Sequence, residues 1–296
     1  MRTTIGLVTA LLCTLAALTD ATAAGDKIAV VAAENFYGDV AQQIGRDRVS
    51  VTSILTNPDQ DPHLFETAPS VVREIAAAHV VIYNGADYDP WMEKLLKVTP
   101  KPGRIVIIAA DLMHKKTDDN PHLWYDPATM PAVAKTLAAA LSAANPVDTN
   151  HYMTGLRTFL ASLQPLNDKI AEIRRKYAGA TVAATEPVFG YMADALHLTM
   201  LERRFQLSIM NNTEPSAGDL VAFENDLKMH KVRVLFYNKQ ASDNIVQHLV
   251  DRARASNIPV VGVTETCPPS LSYQNWMLSE LDKTEAALAG PSYERH

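Results

Sequence analysis

Between residues 148 and 179 apolar side chains return every three or four positions: Tyr152, Leu156, Phe159, Leu163, Leu166, Ile170, Ile173 and Tyr177. That spacing lays them along one face of a helix. Asp148 is suited to cap its start and Gly179 to stop it. About thirty helical residues at roughly 1.5 Å each span roughly 45 Å, more than one ordinary domain requires. The predicted element is therefore a spine between two halves. Pro165 removes a backbone donor inside it, so the run is expected as one bent helix, with two helices in series as the alternative.

On both sides of the spine, short apolar runs of strand length alternate with longer helical patterns. Before it, strands are predicted at 27–33, 49–55, 80–83 and 104–109, with helices from Asn35 to about Gly45, at 69–78, 87–98 and 127–144. After it come strands at 181–184, 232–237 and 259–263, a short extended piece near 199–204, and helices at 189–196, 216–230, 243–255 and 273–288. Strands separated by helices of ten or more residues predict parallel sheets with helices on both faces. The fold class is α/β in two lobes, 25–147 and 180–296, joined by the backbone helix at 148–179.

The first residues read as an address rather than as part of either lobe. Arg2 is followed by an apolar stretch from Ile5 to Leu18 and by small residues at Ala21-Thr22-Ala23-Ala24, which predicts a signal peptide over 1–24 and export. The apolar stretch is too short to span a membrane. Leu12 before Cys13 fits poorly with a lipid-modified cysteine, so a periplasmic protein is expected rather than an anchored one. Cys267 is then the one cysteine of the mature chain, which excludes an internal disulfide.

Composition narrows the partners. Of 296 residues, 47% are hydrophobic and 20% charged, and the formal net charge is −6. A soluble globular protein is expected, and nucleic acid and anionic membranes are disfavoured. A monomer is the default. No Gly-rich phosphate loop, Gly-x-Ser-x-Gly elbow or His-Glu-x-x-His helix occurs, so no enzyme signature is present.

In open parallel sheets ligands bind beyond the carboxyl ends of the strands. Four such positions carry chemistry here: His63 in Asp61-Pro62-His63-Leu64-Phe65-Glu66, His122 in Asn120-Pro121-His122-Leu123-Trp124, Glu186 in Thr185-Glu186-Pro187, and Glu265 in Thr264-Glu265-Thr266. Two histidines precede the spine and two carboxylates follow it. Imidazole nitrogens and carboxylates suit a first-row divalent ion, and two carboxylates balance its charge. Each residue taken alone is more ordinarily a solvated side chain; the repeated Pro-His-Leu-aromatic segment and the division across the spine carry the reading. His79, His114, His151, His197, His230, His248 and His296 are not expected as ligands, and Cys267 is expected to be incidental. Glu66, Asp61 and Asp126 are candidates to orient the ligands.

These segments, with Ala33-Glu34-Asn35-Phe36-Tyr37-Gly38 and Glu186-Pro187-Val188-Phe189-Gly190-Tyr191, resemble the zinc/manganese family of solute-binding proteins that serve ATP-binding-cassette importers. The similarity runs through the mature chain to Tyr273-Gln274-Asn275-Trp276-Met277. It implies two α/β lobes joined by a long helix, with the ion in the cleft between them. Position by position it assigns His63 and His122 as the N-lobe ligands and Glu186 as the third. Glu265 stands where aspartate is usual. Glu186, and the lack of a histidine-rich loop before Asn120, lean towards manganese without deciding it.

The expected function is that of an exported receptor delivering Mn2+ or Zn2+, with Fe2+ also possible, to a membrane permease through small lobe movements. A metal-dependent hydrolase using the same cleft, a receptor for haem or another metal chelate, and an adhesion protein stabilised by a structural ion remain as alternatives.

Overall fold

The computed structural model of the chain describes residues 27–58, 65–241 and 243–290. The predicted signal peptide, Cys13, Asp61, His63 and His296 lie outside the described residues.

The first half holds the parallel strands β1 (Ile28–Glu34), β2 (Val49–Leu55), β3 (Val80–Tyr83) and β4 (Ile105–Ile108), in the order β2-β1-β3-β4. The second holds β5 (Thr181–Ala184), β6 (Thr199–Leu201), β7 (Leu235–Asn238) and β8 (Val260–Val263), in the order β6-β5-β7-β8. Both sheets reverse direction of growth beside their first strand, and a crevice forms at such a point beyond the strand ends.

Helices α1 (Asn35–Gly45), α2 (Pro69–Ala77), α3 (Pro90–Val98), α4 (Ala109–Leu112) and α5 (Thr129–Ala144) belong to the first half. Proline opens α2 and α3, where its missing N–H costs nothing. The predicted start of α3 at Asp87 is three residues early. Ala86 and Asp87 adopt positive φ, and the Asp89 carboxylate accepts the N–H groups of Asn84 and Gly85, which holds the chain in a loop.

The spine is helical in two segments, α6 (Thr149–Ser162) and α7 (Gln164–Tyr177), with Leu163 between them. Pro165 lies in the first turn of α7, so its missing donor falls at a helix start, and the chain runs as two helices in series. Gly179, at φ +81°, follows the end of α7.

Helices α8 (Gly190–Ala195), α9 (Arg203–Met210), α10 (Ala217–Lys228), α11 (Asn244–Ala255) and α12 (Tyr273–Ala289) complete the second half. Ser216, Asp243 and Ser272 cap the last three of these by accepting the N–H of Asp219, Val246 and Asn275. Helix α9 is absent from the predicted elements: its buried face is only Phe205, Gln206 and Ile209, too short to set up a period.

Aromatic rings form a continuous core from one half to the other. Phe36 packs on Trp124 with ring centroids 4.7 Å apart, Tyr125 on Phe189 at 5.5 Å, and Phe189 stacks on Phe236 at 4.4 Å. Trp276 of α12 touches both Phe36 and Tyr125. Hydrogen bonds follow the same seam. Asn35 exchanges two bonds with the backbone of Cys267, Asp39 accepts the N–H of Tyr273, and the Tyr125 and Tyr273 hydroxyls donate to the carbonyls of Thr264 and Trp124. A shared apolar core together with directional bonds opposes separation of the halves.

Candidate metal centre

Three of the four expected ligands lie beyond the carboxyl ends of the two sheets, and His122 of one half meets Glu265 of the other. His122 enters from the loop after α4, where Pro121 and the short turn Leu123–Tyr125 fix its backbone. Glu186 lies two residues beyond β5, and Glu265 two residues beyond β8. All three are buried. His122 Nε2 is 3.4 Å from Glu265 Oε2.

The amide of Asn238, the last residue of β7, stands between the two glutamates. Its Nδ2 donates to Glu186 Oε2 at 2.7 Å and to Glu265 Oε1 at 2.5 Å. The two accepting oxygens are therefore no more than about 5 Å apart. Among the described residues no three His, Cys, Asp or Glu side chains lie close enough to one another to form an ion-holding group by themselves. His63, the fourth expected ligand, falls outside the described residues.

Asn120 sets the imidazole. Its Oδ1 takes both the backbone N–H of His122, at 3.1 Å, and Nδ1, at 2.7 Å, while its Nδ2 donates to the carbonyl of Pro187 at 2.8 Å. A backbone N–H only donates and a carbonyl only accepts, so the amide has one orientation. Nδ1 therefore carries a proton, which leaves Nε2 on the side of Glu265. Tyr191 donates its hydroxyl to the Asn120 carbonyl from the other half.

Aromatic edges seal the imidazole: Trp124 lies 5.3 Å from it and Tyr88 6.0 Å, centroid to centroid. Burial, followed by the charges of Glu265 and Glu34, raises the Tyr88 phenol well above its ordinary pKa. Gln240 accepts the N–H of Glu265 at 2.6 Å and donates to Thr266, which fixes the backbone behind that carboxylate.

A second carboxyl pair lies on the N-lobe side. Glu34 ends β1 and is 1% exposed, with its carboxyl beside that of Asp89. Burial, and then the charge of Asp89, holds its pKa well above the ordinary value; burial lifts Asp89 to about 6 against the N–H groups it accepts. Glu34 is the member that keeps its proton.

The expected orienting residues fare differently. Glu66 is exposed. Asp126 uses its carboxylate on the N–H of Ala128, at the start of α5. The side chains that hydrogen-bond the candidate ligands are instead Asn120 and Asn238. An asparagine two positions before a histidine is a recognisable side-chain turn, whereas nothing in the sequence around Asn238 announces it. Cys267 is 3% exposed, and burial pushes its thiol up to about 12.

Among the described residues no helix is long and apolar enough to cross a membrane. Residues 30–287 match the model of the ZnuA family, described as zinc-uptake complex component A, periplasmic. The manganese ABC transporter substrate-binding lipoprotein PsaA of Streptococcus mitis is 24% identical over 290 residues, covering 90% of this chain and 91% of that protein. The iron ABC transporter substrate-binding lipoprotein MtsA of Streptococcus pyogenes serotype M1 is 24% identical over 294 residues, with the same coverage of both. Among solved structures, the periplasmic zinc-binding protein TroA of Treponema pallidum superposes with a TM-score of 0.76 at 17% identity, covering 89% of this chain and 99% of that one. A Mn-bound mutant of a periplasmic metal-binding protein from Candidatus Liberibacter asiaticus gives 0.72 at 20% identity, covering 89% and 100%.

Proposed function

We propose that this chain, which belongs to the ZnuA family of periplasmic zinc-uptake components, is the substrate-binding component of an ABC importer for a divalent transition metal. It captures Mn2+ or Zn2+, with Fe2+ also admitted, in the cleft between an N-terminal lobe (25–147) and a C-terminal lobe (180–296). It then hands the ion to a membrane permease. His63 and His122 supply nitrogen, and Glu186 and Glu265 supply oxygen and charge. The protein binds and releases; it does not turn over a substrate.

The meeting of His122 from one half with Glu265 from the other, 3.4 Å apart in a buried setting, is the observation that carries this reading. Neutral imidazole and two carboxylates together form a donor set for a first-row divalent ion. The relatives are named for manganese, iron and zinc, so their names leave the cargo open within that class.

The test is a competition titration of metal-stripped mature protein with zinc and manganese. One ion per chain is expected. His122→Ala and Glu186→Ala should each lose more affinity than the roughly tenfold to hundredfold typical of an outer-sphere partner. Absence of a stoichiometric site for either ion would overturn the assignment.

A further inference from the structure

Asn120 and Tyr191 join the segment that carries His122 to the segment that carries Glu186. Asn120 lies two residues before His122 and meets both Nδ1 and the backbone N–H of that histidine through Oδ1. Its Nδ2 donates to the carbonyl of Pro187, next to Glu186, at 2.8 Å, and its own carbonyl accepts the Tyr191 hydroxyl at 2.7 Å. Glu186 and Tyr191 are connected by the short turn Pro187–Phe189 and the start of α8, and Phe189 stacks on Phe236 at 4.4 Å. Tyr191 therefore moves with Glu186, and Asn120 with His122.

The two segments cross closely. A Cβ on Gly190 would stand 2.9 Å from Asn120 Nδ2, so only glycine leaves room for the amide. The Lys115 ammonium, from the loop after α4, lies 5.0 Å from the centre of the Tyr191 ring, which adds a cation–π attraction between the halves. Burial, followed by the charge of Asp119, pushes the Tyr191 phenol up to about 12, so it remains a donor.

Other hydroxyl bonds between the halves sit elsewhere. Tyr125 and Tyr273 donate from within the buried ring core. Asn120, Gly190 and Tyr191 are half-buried and border a surface cleft together with Pro187. Their link can open while the ring core stays assembled, and its opening parts the His122 segment from the Glu186 segment.

Resting on the receptor reading above, we propose that Tyr191 is a positioning residue for release of the ion. Its bond to the Asn120 carbonyl holds the His122 and Glu186 segments together, and the ion leaves when that bond opens.

The experiment loads the mature wild type and its Tyr191→Phe, Gly190→Ala and Tyr273→Phe variants with Zn2+. Release into an excess of chromogenic chelator is followed by stopped flow, and a melting temperature is recorded for each protein. Tyr191→Phe keeps the ring beside Lys115 and loses one half-buried hydrogen bond, so release should be about threefold to tenfold faster. Gly190→Ala, which forces the Asn120 amide away, should also speed release. Tyr273→Phe loses a hydroxyl bond of the core instead: its melting temperature should fall while release stays within about twofold of the wild type.

Release from folded Tyr191→Phe within about twofold of the wild type would overturn the inference. So would equal acceleration in Tyr191→Phe and Tyr273→Phe, which marks a general loosening of the halves. Both outcomes leave the receptor reading intact, since Zn2+ is still bound. A wild type that holds no Zn2+ would overturn that reading and this inference with it.

Discussion

Replacing Asn120 with alanine should weaken metal binding without touching a ligand. The substitution removes the acceptor that takes His122 Nδ1 at 2.7 Å and the backbone N–H at 3.1 Å, together with the donor to Pro187 at 2.8 Å. Without that acceptor the imidazole can carry its proton on either nitrogen and can rotate, and the basicity lent to Nε2 is lost. Loss of such a partner ordinarily costs about tenfold to a hundredfold in metal affinity, which is about 1.4–2.8 kcal/mol of binding free energy.

The Pro187 bond complicates that variant, because it links the two halves beside Glu186. Asn120→Asp separates the contributions. Its carboxylate still accepts from Nδ1 and from the backbone of His122 but cannot donate to Pro187. Competition against a zinc chelator at constant pH should therefore place Asn120→Asp within about threefold of the wild type and Asn120→Ala at least tenfold weaker. A folded Asn120→Ala protein with unchanged affinity would refute the assignment of Asn120 as the group that orients His122. Equal losses in both variants would move the effect to the interlobe bond.

Other outcomes follow from the same geometry. The folded protein holds the Glu34 proton more tightly than the unfolded chain does, so stability should fall as pH rises above the ordinary glutamate range; Glu34→Gln should raise the melting temperature at pH 8 and flatten its change between pH 5 and pH 8. Gly155→Ala should destabilise despite the better helix propensity of alanine, because a Cβ there would lie 2.3 Å from the Ile44 carbonyl; overpacking of this kind costs about 1–3 kcal/mol, measurable by denaturant titration. Metal binding should change the small-angle scattering profile only slightly, since the Asn35, Asp39, Tyr125 and Tyr273 bonds and the ring core already tie the halves together. A large compaction would contradict that.

The architecture was legible wherever a long period or a short β-rich run declared itself. Helix α12 falls within one residue of its predicted end because its start has a serine cap and its body a sustained apolar pattern. The spine was legible as helical, but its division at Leu163 depends on where Pro165 falls in a turn. The loop before α3 could not be read, since it depends on a carboxylate that turns back to two backbone donors. Helix α9 was hidden for a different reason: eight residues with three buried positions carry no period.

The site divides along a similar line. His122, Glu186 and Glu265 could be proposed because donor atoms have a chemistry visible in the residue type, and their positions after strands put them at one edge. The groups that hydrogen-bond them are less visible: Asn120 stands two residues before His122, a spacing the chain shows, whereas Asn238 has no signature until the fold supplies its neighbours, and each is linked to the site in a different way. Asn120 acts locally, on a histidine two residues away, yet its other end reaches across to Pro187. Asn238 acts through sheet order, because only the placement of β7 between β5 and β8 puts one amide within reach of both glutamates. Donor type can thus be read from the chain, whereas the hydrogen-bond partners of each donor are set by the fold. A sequence that kept all four candidate residues and lost either asparagine would retain the pattern while changing the hydrogen bonds around it.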